Sequence, residues 1–276
     1  MGWDIGVIQG LDETGASLGR AKNFGLACCQ LSGWNTALCR PDVAKTARAA
    51  SEKHGVRVSS FWAGLPGPAE WNFQYGPLTI GLVPAAYRMA RVQALKDWAD
   101  FAKLLGAPAI VTHAGFLPEN ISDPEFLPVL SALRIVAQHC KNVGVGFWFE
   151  TGQETPVTLL RYIEEIGLDN VGVNLDPANL MMYGRGNPVD AVRVFGKYVR
   201  SVHAKDGKPP TDPKWLGAET AVGRGLVDFP LMFRLLQECG FDGDLIIERE
   251  IAEGEEQNRD IRETAAKLAE WRGALK

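Results

Sequence analysis

Short apolar runs alternate with longer amphipathic stretches along the whole 276-residue chain. Eight runs have strand length and strand composition: 4–9, 26–31, 56–62, 109–113, 144–150, 171–176, 199–203 and 244–248. The stretches between them carry helix punctuation. Pro41 stands where a first-turn proline belongs, and Gly55 closes that helix after His54. Residues 84–105 form the longest helical stretch, stopped by Gly106 and Pro108. Ser122 or Asp123 is positioned to cap a helix that runs to Asn142, with Pro128 near its start. Thr155–Pro156 opens another that ends near Gly167, Asp228 caps one that ends at Gly240, and a last helix covers 257–273.

Strict alternation of strand and helix predicts parallel strands joined by right-handed crossovers. A doubly wound open sheet also alternates, but it gives no reason for eight regular units. The turn after the first strand, Gln9–Gly10–Leu11–Asp12, is no G-x-G-x-x-G phosphate turn, and no Walker A pattern occurs. The expected fold is therefore α/β, a single (β/α)8 TIM barrel over residues 1–276. No interdomain linker is visible. The Pro- and Gly-containing stretch 205–226 reads as a long loop inside the seventh unit.

Composition narrows the function classes. The chain is 46% hydrophobic and 22% charged, which excludes a disordered chain. Lys plus Arg is 29 against 33 Asp plus Glu, a net charge of −4, without the basic footprint of a nucleic-acid binder. No apolar run is long enough to span a membrane. The opening MGWDIGVI lacks a basic n-region and a cleavage site, and Gly6 breaks the myristoylation pattern that Gly2 begins. The five cysteines form no C-x-x-C pair and read as reduced buried thiols, so a cytoplasmic location is expected.

In such a barrel the chemistry sits at the C-terminal ends of the strands. Strands five to eight end on Glu150, Asp176, His203 and Glu248. A carboxylate ending an apolar strand is costly to bury, and three that converge repel one another. One divalent metal resolves the conflict. Three oxygen ligands and one imidazole favour Mn2+ or Mg2+, with Co2+ or Zn2+ as alternatives. Glu250 has the same facing parity as Glu248 and is the alternative eighth-strand ligand.

The motifs FETG (149–152), NLDPANL (174–180), VHAKD (202–206) and LIIERE (245–250) resemble those of the xylose-isomerase-like barrels. They are most similar to the sugar isomerase/epimerase group that includes ketose 3-epimerases, hydroxypyruvate isomerase and inosose dehydratase. The resemblance implies that Glu150, Asp176, His203 and Glu248 hold the metal, and that Glu150 and Glu248 also act as the acid/base pair. It implies a homo-oligomer, dimer or tetramer, and a small-molecule sugar as substrate. A metal beside a ketone oxygen acidifies the neighbouring C–H by stabilising an enediolate, and two carboxylates then remove and return the proton. The expected activity is a metal-dependent isomerase or epimerase. The alternative is a carbon–oxygen lyase on keto-sugars, inososes or 3-keto-glycosides, and a third reading is a non-catalytic sugar binder. Asn179 departs from the pattern, standing where several relatives carry a histidine. With four histidines in all, the chain is too poor in that residue for the trinuclear zinc nuclease site found on the same fold.

Five further residues are expected to contact substrate: His113 at the end of strand four, Trp62 at the end of strand three, Asn179 and Lys205 after the ligands, and Arg224 in Gly223–Arg224–Gly225. Gln9 and Gln30 end strands one and two and are weaker candidates, while His54 and His139 sit near helix C-termini and read as structural. Segment 63–84, with Trp71, Tyr75, four prolines and four glycines, reads as an active-site lid.

Overall fold

The computed structural model describes residues 3–275. Eight parallel strands close into a barrel: β1 (Ile5–Gly10), β2 (Cys28–Gly33), β3 (Arg57–Ala63), β4 (Ala109–Thr112), β5 (Gly146–Glu150), β6 (Val171–Leu175), β7 (Val199–Ala204) and, last in the ring, β10 (Asp244–Ile247). Around the ring the order is β1-β10-β7-β6-β5-β4-β3-β2, so each strand pairs with its sequence neighbours and β10 closes on β1. The expected (β/α)8 barrel is the observed fold.

The surrounding helices are α1 (Ala16–Asn23), α2 (Pro41–His54), α4 (Ala85–Leu105), α5 (Phe126–Val143), α6 (Pro156–Ile166), α8 (Pro188–Phe195), α9 (Phe229–Glu238) and α10 (Glu255–Gly273). Their ends follow local chemistry. Thr155 accepts from the Thr158 amide at 3.3 Å with Pro156 in the first turn, and Asp228 accepts from the Leu231 amide at 3.0 Å. The cap expected at Ser122 or Asp123 falls elsewhere. The α5 helix starts at Phe126 after Glu125, while Asp123 closes a preceding turn by accepting from the Glu125 and Phe126 amides. Val136, Leu133 and Val129 of α5, with Leu95, Trp98 and Ala102 of α4, join the core between the helices and the sheet.

Two short helices and a ribbon were not evident from periodicity: α3 (Gly76–Thr79), α7 (Pro177–Met182), and the antiparallel pair β8 (Asp206–Gly207) and β9 (Glu219–Thr220). The ribbon lies inside the long loop of the seventh unit. Buried Asp206 organises that loop by accepting from the amides of Gly207, Gly223, Gly225 and Val227 at 2.8–3.1 Å. A Cβ on Gly225 would stand 2.1 Å from the Asp206 carboxylate, so only glycine lets the backbone wrap this closely. The G-x-G pair is thus an anion nest for the protein's own aspartate.

Segment 64–84 is pinned rather than loose. Arg91 of α4, itself buried, donates to the carbonyls of Pro66, Gly81 and Pro68 at 2.7–3.0 Å. The Phe73 amide donates to Lys214 O at 3.0 Å, tying this segment to the loop after β7 across the barrel mouth. Among the described residues no helix is long and apolar enough to cross a membrane, and all five cysteines are free thiols.

Candidate metal centre

Parallel registration brings the four strand-end residues together. Glu150 pairs with Asn174, two positions before Asp176, and His203 pairs with Ile246, two positions before Glu248. One ligand atom from each of Glu150, Asp176, His203 and Glu248 lies within 4.8 Å of the others, and all four residues are buried. His203 Nδ1 is central: 3.2 Å from Glu150 Oε1, 3.5 Å from Asp176 Oδ2 and 3.1 Å from Glu248 Oε2. Glu248, not Glu250, supplies the eighth-strand carboxylate. The Glu250 side chain is 59% exposed and pairs with Lys205.

Each ligand is held by contacts that leave one face free. Asp176 spends Oδ1 on the Asn179 amide at 2.8 Å, capping α7, while its Oδ2 is buried without a hydrogen-bond partner. His203 Nε2 meets Gln30 Oε1 at 2.8 Å, and the Gln30 amide nitrogen donates to Ser60 Oγ at 2.8 Å. The amide oxygen only accepts, so Nε2 carries a proton and Nδ1 faces the cluster. Burial would lower the imidazole's pKa, but Glu150, Glu248 and Asp176 outweigh it and hold it well above the ordinary value, a charge that a bound cation would replace. Glu150 accepts from Trp62 Nε1 and from Asn179 Nδ2, the latter at 3.2 Å. Two orphaned buried atoms facing two carboxylates fit a divalent cation.

Charge gives the same answer. With His203 neutral as a metal ligand, three carboxylates and the Lys205 ammonium sum to a formal −2 in a buried pocket, which one divalent ion would neutralise. Lys205 lies 3.1 Å from Glu248 Oε2 and 3.8 Å from Asp176 Oδ2. Burial alone would discharge it, but Glu248, Glu250 and Asp176 outweigh burial and hold its pKa well above the ordinary lysine value. Burial pushes the Asp176 carboxyl up to about 7. Burial also raises the Glu248 carboxyl, yet Lys205 and His203 reverse this and hold it well below the usual range. Crowded anions in low dielectric produce these opposed shifts.

A cavity of about 540 Å3 opens over the cluster at the C-terminal end of the barrel. Of the expected substrate contacts, Trp62, His113, Asn179 and Lys205 line it. The ring of His113 packs edge-on to Trp62 at 5.9 Å, and its Nδ1 lies 3.2 Å from the Glu150 carbonyl oxygen. A carbonyl only accepts, so Nδ1–H donates and Nε2 is left as an acceptor. Burial lowers the His113 pKa and favours this neutral form. Arg224 does not line the cavity. The nest around Asp206 turns its backbone inward and leaves the side chain 68% exposed, 3.9 Å from Glu263. His54 ends α2, and His139 pairs with Asp100 at 2.9 Å; both lie outside the site.

Sequence reasoning undervalued Gln30 and missed Trp34 and Glu154. A polar residue inside the apolar run of β2 was the signal for Gln30. Trp34 lines the cavity just past the end of β2, where an isolated tryptophan in a loop carries no periodicity. Glu154 is buried with both carboxyl oxygens unpartnered, although its place before Thr155–Pro156 reads as a solvated helix start.

The match over residues 18–271 to the xylose isomerase-like TIM barrel family shows that this chain belongs to it. The chain is similar, at 34% identity and a TM-score of 0.93, to a xylose isomerase domain protein from Planctomyces limnophilus, covering 100% of this chain and 99% of that one. It shares its fold with a D-tagatose 3-epimerase-like protein at 20% identity and a TM-score of 0.75, covering 99% and 98%. It is 24% identical over 183 residues to inosose dehydratase of Lacticaseibacillus casei, covering 55% of this chain and 60% of that protein. The chain spans only 57–60% of the length of the curated relatives it matches.

Proposed function

We propose that the protein is a divalent-metal-dependent isomerase or epimerase that moves a proton at the carbon next to a ketose carbonyl. One observation carries this reading: unpartnered His203 Nδ1 and Asp176 Oδ2 converge with the Glu150 and Glu248 carboxylates at the floor of a sugar-sized or larger cavity. Mn2+ or Mg2+ suits the oxygen-rich set, held by Glu150, Asp176, His203 and Glu248. When bound, the ion supplies Lewis-acid polarisation of the substrate carbonyl and its neighbouring hydroxyl.

The protein's own residues do the rest. Glu150 and Glu248 project from strands that are not neighbours in the ring, with β6 and β7 between them, which allows one to take a proton and the other to return it. Trp62 and Asn179 hold the Glu150 carboxylate in place, and Lys205 does the same for Glu248. Neutral His113, whose Nε2 lies 3.7 Å from Glu150 Oε1, accepts from a substrate hydroxyl placed beside that carboxylate. Trp62 also presents an apolar wall to the sugar ring. Trp71, from the segment after β3, and Leu216, from the loop after β7, line the cavity and limit water there.

The test is proton NMR in D2O with metal-loaded protein and a panel of ketoses, inososes and 3-keto-glucosides. Metal-dependent deuterium incorporation with a new epimer or aldose is the expected result. Loss of a hydroxyl or aglycone, with a vinylic proton appearing, replaces the isomerase with a carbon–oxygen lyase, the activity that the likeness to inosose dehydratase favours. Silence from the metal-loaded protein across the panel overturns both.

A further inference from the structure

The cavity has two chemically different halves. Ligands Glu150, Asp176, His203 and Glu248 come from β5, β6, β7 and the end of β10, whereas β2 lies opposite β6 in the ring. The β2–β3 side carries an aromatic platform. Trp34 is tilted against Trp62 at 4.6 Å between ring centroids and meets Trp71 edge-on at 6.2 Å. Trp71 in turn lies 5.3 Å from His113. Trp62 is buried and holds Glu150, so the platform adjoins the reacting end, but Trp34 is 52% exposed while lining the cavity. A half-exposed tryptophan beside an enclosed site presents a ring-sized apolar face that the protein itself does not cover.

The cavity is also larger than a single sugar needs. At about 540 Å3 it falls within the roughly 300–1,000 Å3 range of pockets that enclose drug-sized ligands, against about a dozen heavy atoms in a hexose. A phosphate does not account for the extra room, because the cations at the mouth are already matched. Arg20 pairs with Glu253 at 2.6 Å and donates to Gln257 at 2.7 Å. Arg249 is held between Glu219 at 2.8 Å and Asp260 at 2.9 Å, and Lys205 lies between Glu248 and Glu250. No free pair of cations among these is left to bind a dianion.

From this we infer that the substrate is a glycoside, a keto sugar bearing a second, uncharged ring that packs on Trp34 and Trp71 while the keto ring sits over the metal cluster. The inference rests on the proposed isomerase or epimerase reading for the keto end, and it adds the second subsite. The recognised chemistry is a flat ring with an apolar face, which an aryl group and the C–H face of a pyranose both offer.

Binding can be read apart from turnover by titrating metal-loaded protein with glucose, a phenyl glucoside and a β-linked glucose disaccharide, followed by calorimetry. The expected result is that one two-ring ligand binds at least about tenfold tighter than glucose. Preference for the phenyl glucoside identifies an aryl subsite, and preference for the disaccharide a sugar subsite. Trp34→Ala is expected to bring the ratio of two-ring to one-ring affinity close to 1, and Trp34→Phe to keep most of it. Equal affinity for all three ligands, or a Trp34→Ala variant that keeps the full ratio, overturns the subsite. D2O exchange on 3-keto analogues separates the two readings. A two-ring preference without exchange supports the subsite and removes the isomerase, whereas exchange without the preference removes the subsite alone.

Discussion

His203 and Gln30 meet across the barrel interior, 173 positions apart in sequence, through a 2.8 Å contact from Nε2 to the amide oxygen. The two strands that carry them, β7 and β2, are not neighbours in the ring, so the contact crosses the core. It decides which imidazole nitrogen faces the cluster. Ser60, by accepting from the Gln30 amide nitrogen, decides which end of the amide faces His203. Outer partners of this kind orient metal-binding histidines and raise their basicity.

Gln30→Met keeps most of the side-chain volume and removes the acceptor. The expected outcome is a loss of about 10–100-fold in metal affinity, read by titrating Mn2+ into metal-free protein. Circular dichroism at the same temperature checks that the barrel is intact. An unchanged Kd in a folded variant would sink the positioning role of Gln30.

Glu150→Gln and Glu248→Gln each keep an oxygen that can face the metal but remove the proton-transfer group. Each is expected to lower turnover by at least ~100-fold at saturating metal. Because Glu150 is held by Trp62 and Asn179 while Glu248 is held by Lys205, the two losses should differ in their pH profiles. Near-normal kcat in both variants would remove the acid/base assignment.

Metal removal should destabilise the fold, since the three carboxylates then keep their mutual repulsion with no bound metal cation to offset it. At metal concentrations about 1,000 times Kd, binding contributes about 4 kcal/mol to stability. For a chain of this size that corresponds to a fall in Tm on the order of 10 °C when a chelator is added. Scanning calorimetry with chelator, and again after Mn2+ is restored, measures it. A Tm indifferent to both additions argues against a metal at Glu150, Asp176, His203 and Glu248.

The four residues of the buried cluster were legible in the sequence because each ends an apolar strand, where a polar or charged residue is conspicuous, and because parallel strands of equal phase bring their ends to one rim. His113 and Trp62, which line the cavity, were placed there by their positions at strand ends. Features set by tertiary contact were not. Arg224 was expected to contact substrate because Gly223–Arg224–Gly225 resembles the G-x-G of relatives, but here that backbone holds Asp206 and the Arg224 side chain points away from the cavity lining. The α7 helix is too short for a periodic signal, and only its cap, Asp176, marks it. Glu154 gives no sign of burial in the sequence, because a charged residue just before a Thr–Pro helix start is ordinarily solvated.

That burial has a measurable consequence. The Glu154 carboxyl is pushed up to about 8 by burial, and Arg185 and nearby backbone amides offset this only in part. In the unfolded chain the same group titrates near 4.3. Below pH ~4 both states hold the proton and Glu154 has no effect on stability. As pH rises, the unfolded chain releases its proton while the folded chain retains it, so stability falls until the pH passes about 8, where the loss levels off. Glu154→Gln keeps the shape and carries no titratable proton. Its stability relative to the wild type should therefore increase between pH 5 and pH 8, by on the order of 3 kcal/mol. Titrations of the metal ligands are common to both proteins and cancel in the difference. Urea unfolding of both proteins at the two pH values gives that difference directly. A gap that stays constant, or narrows towards pH 8, would show that Glu154 is ionised in the folded protein and has a partner that the buried side chain does not display.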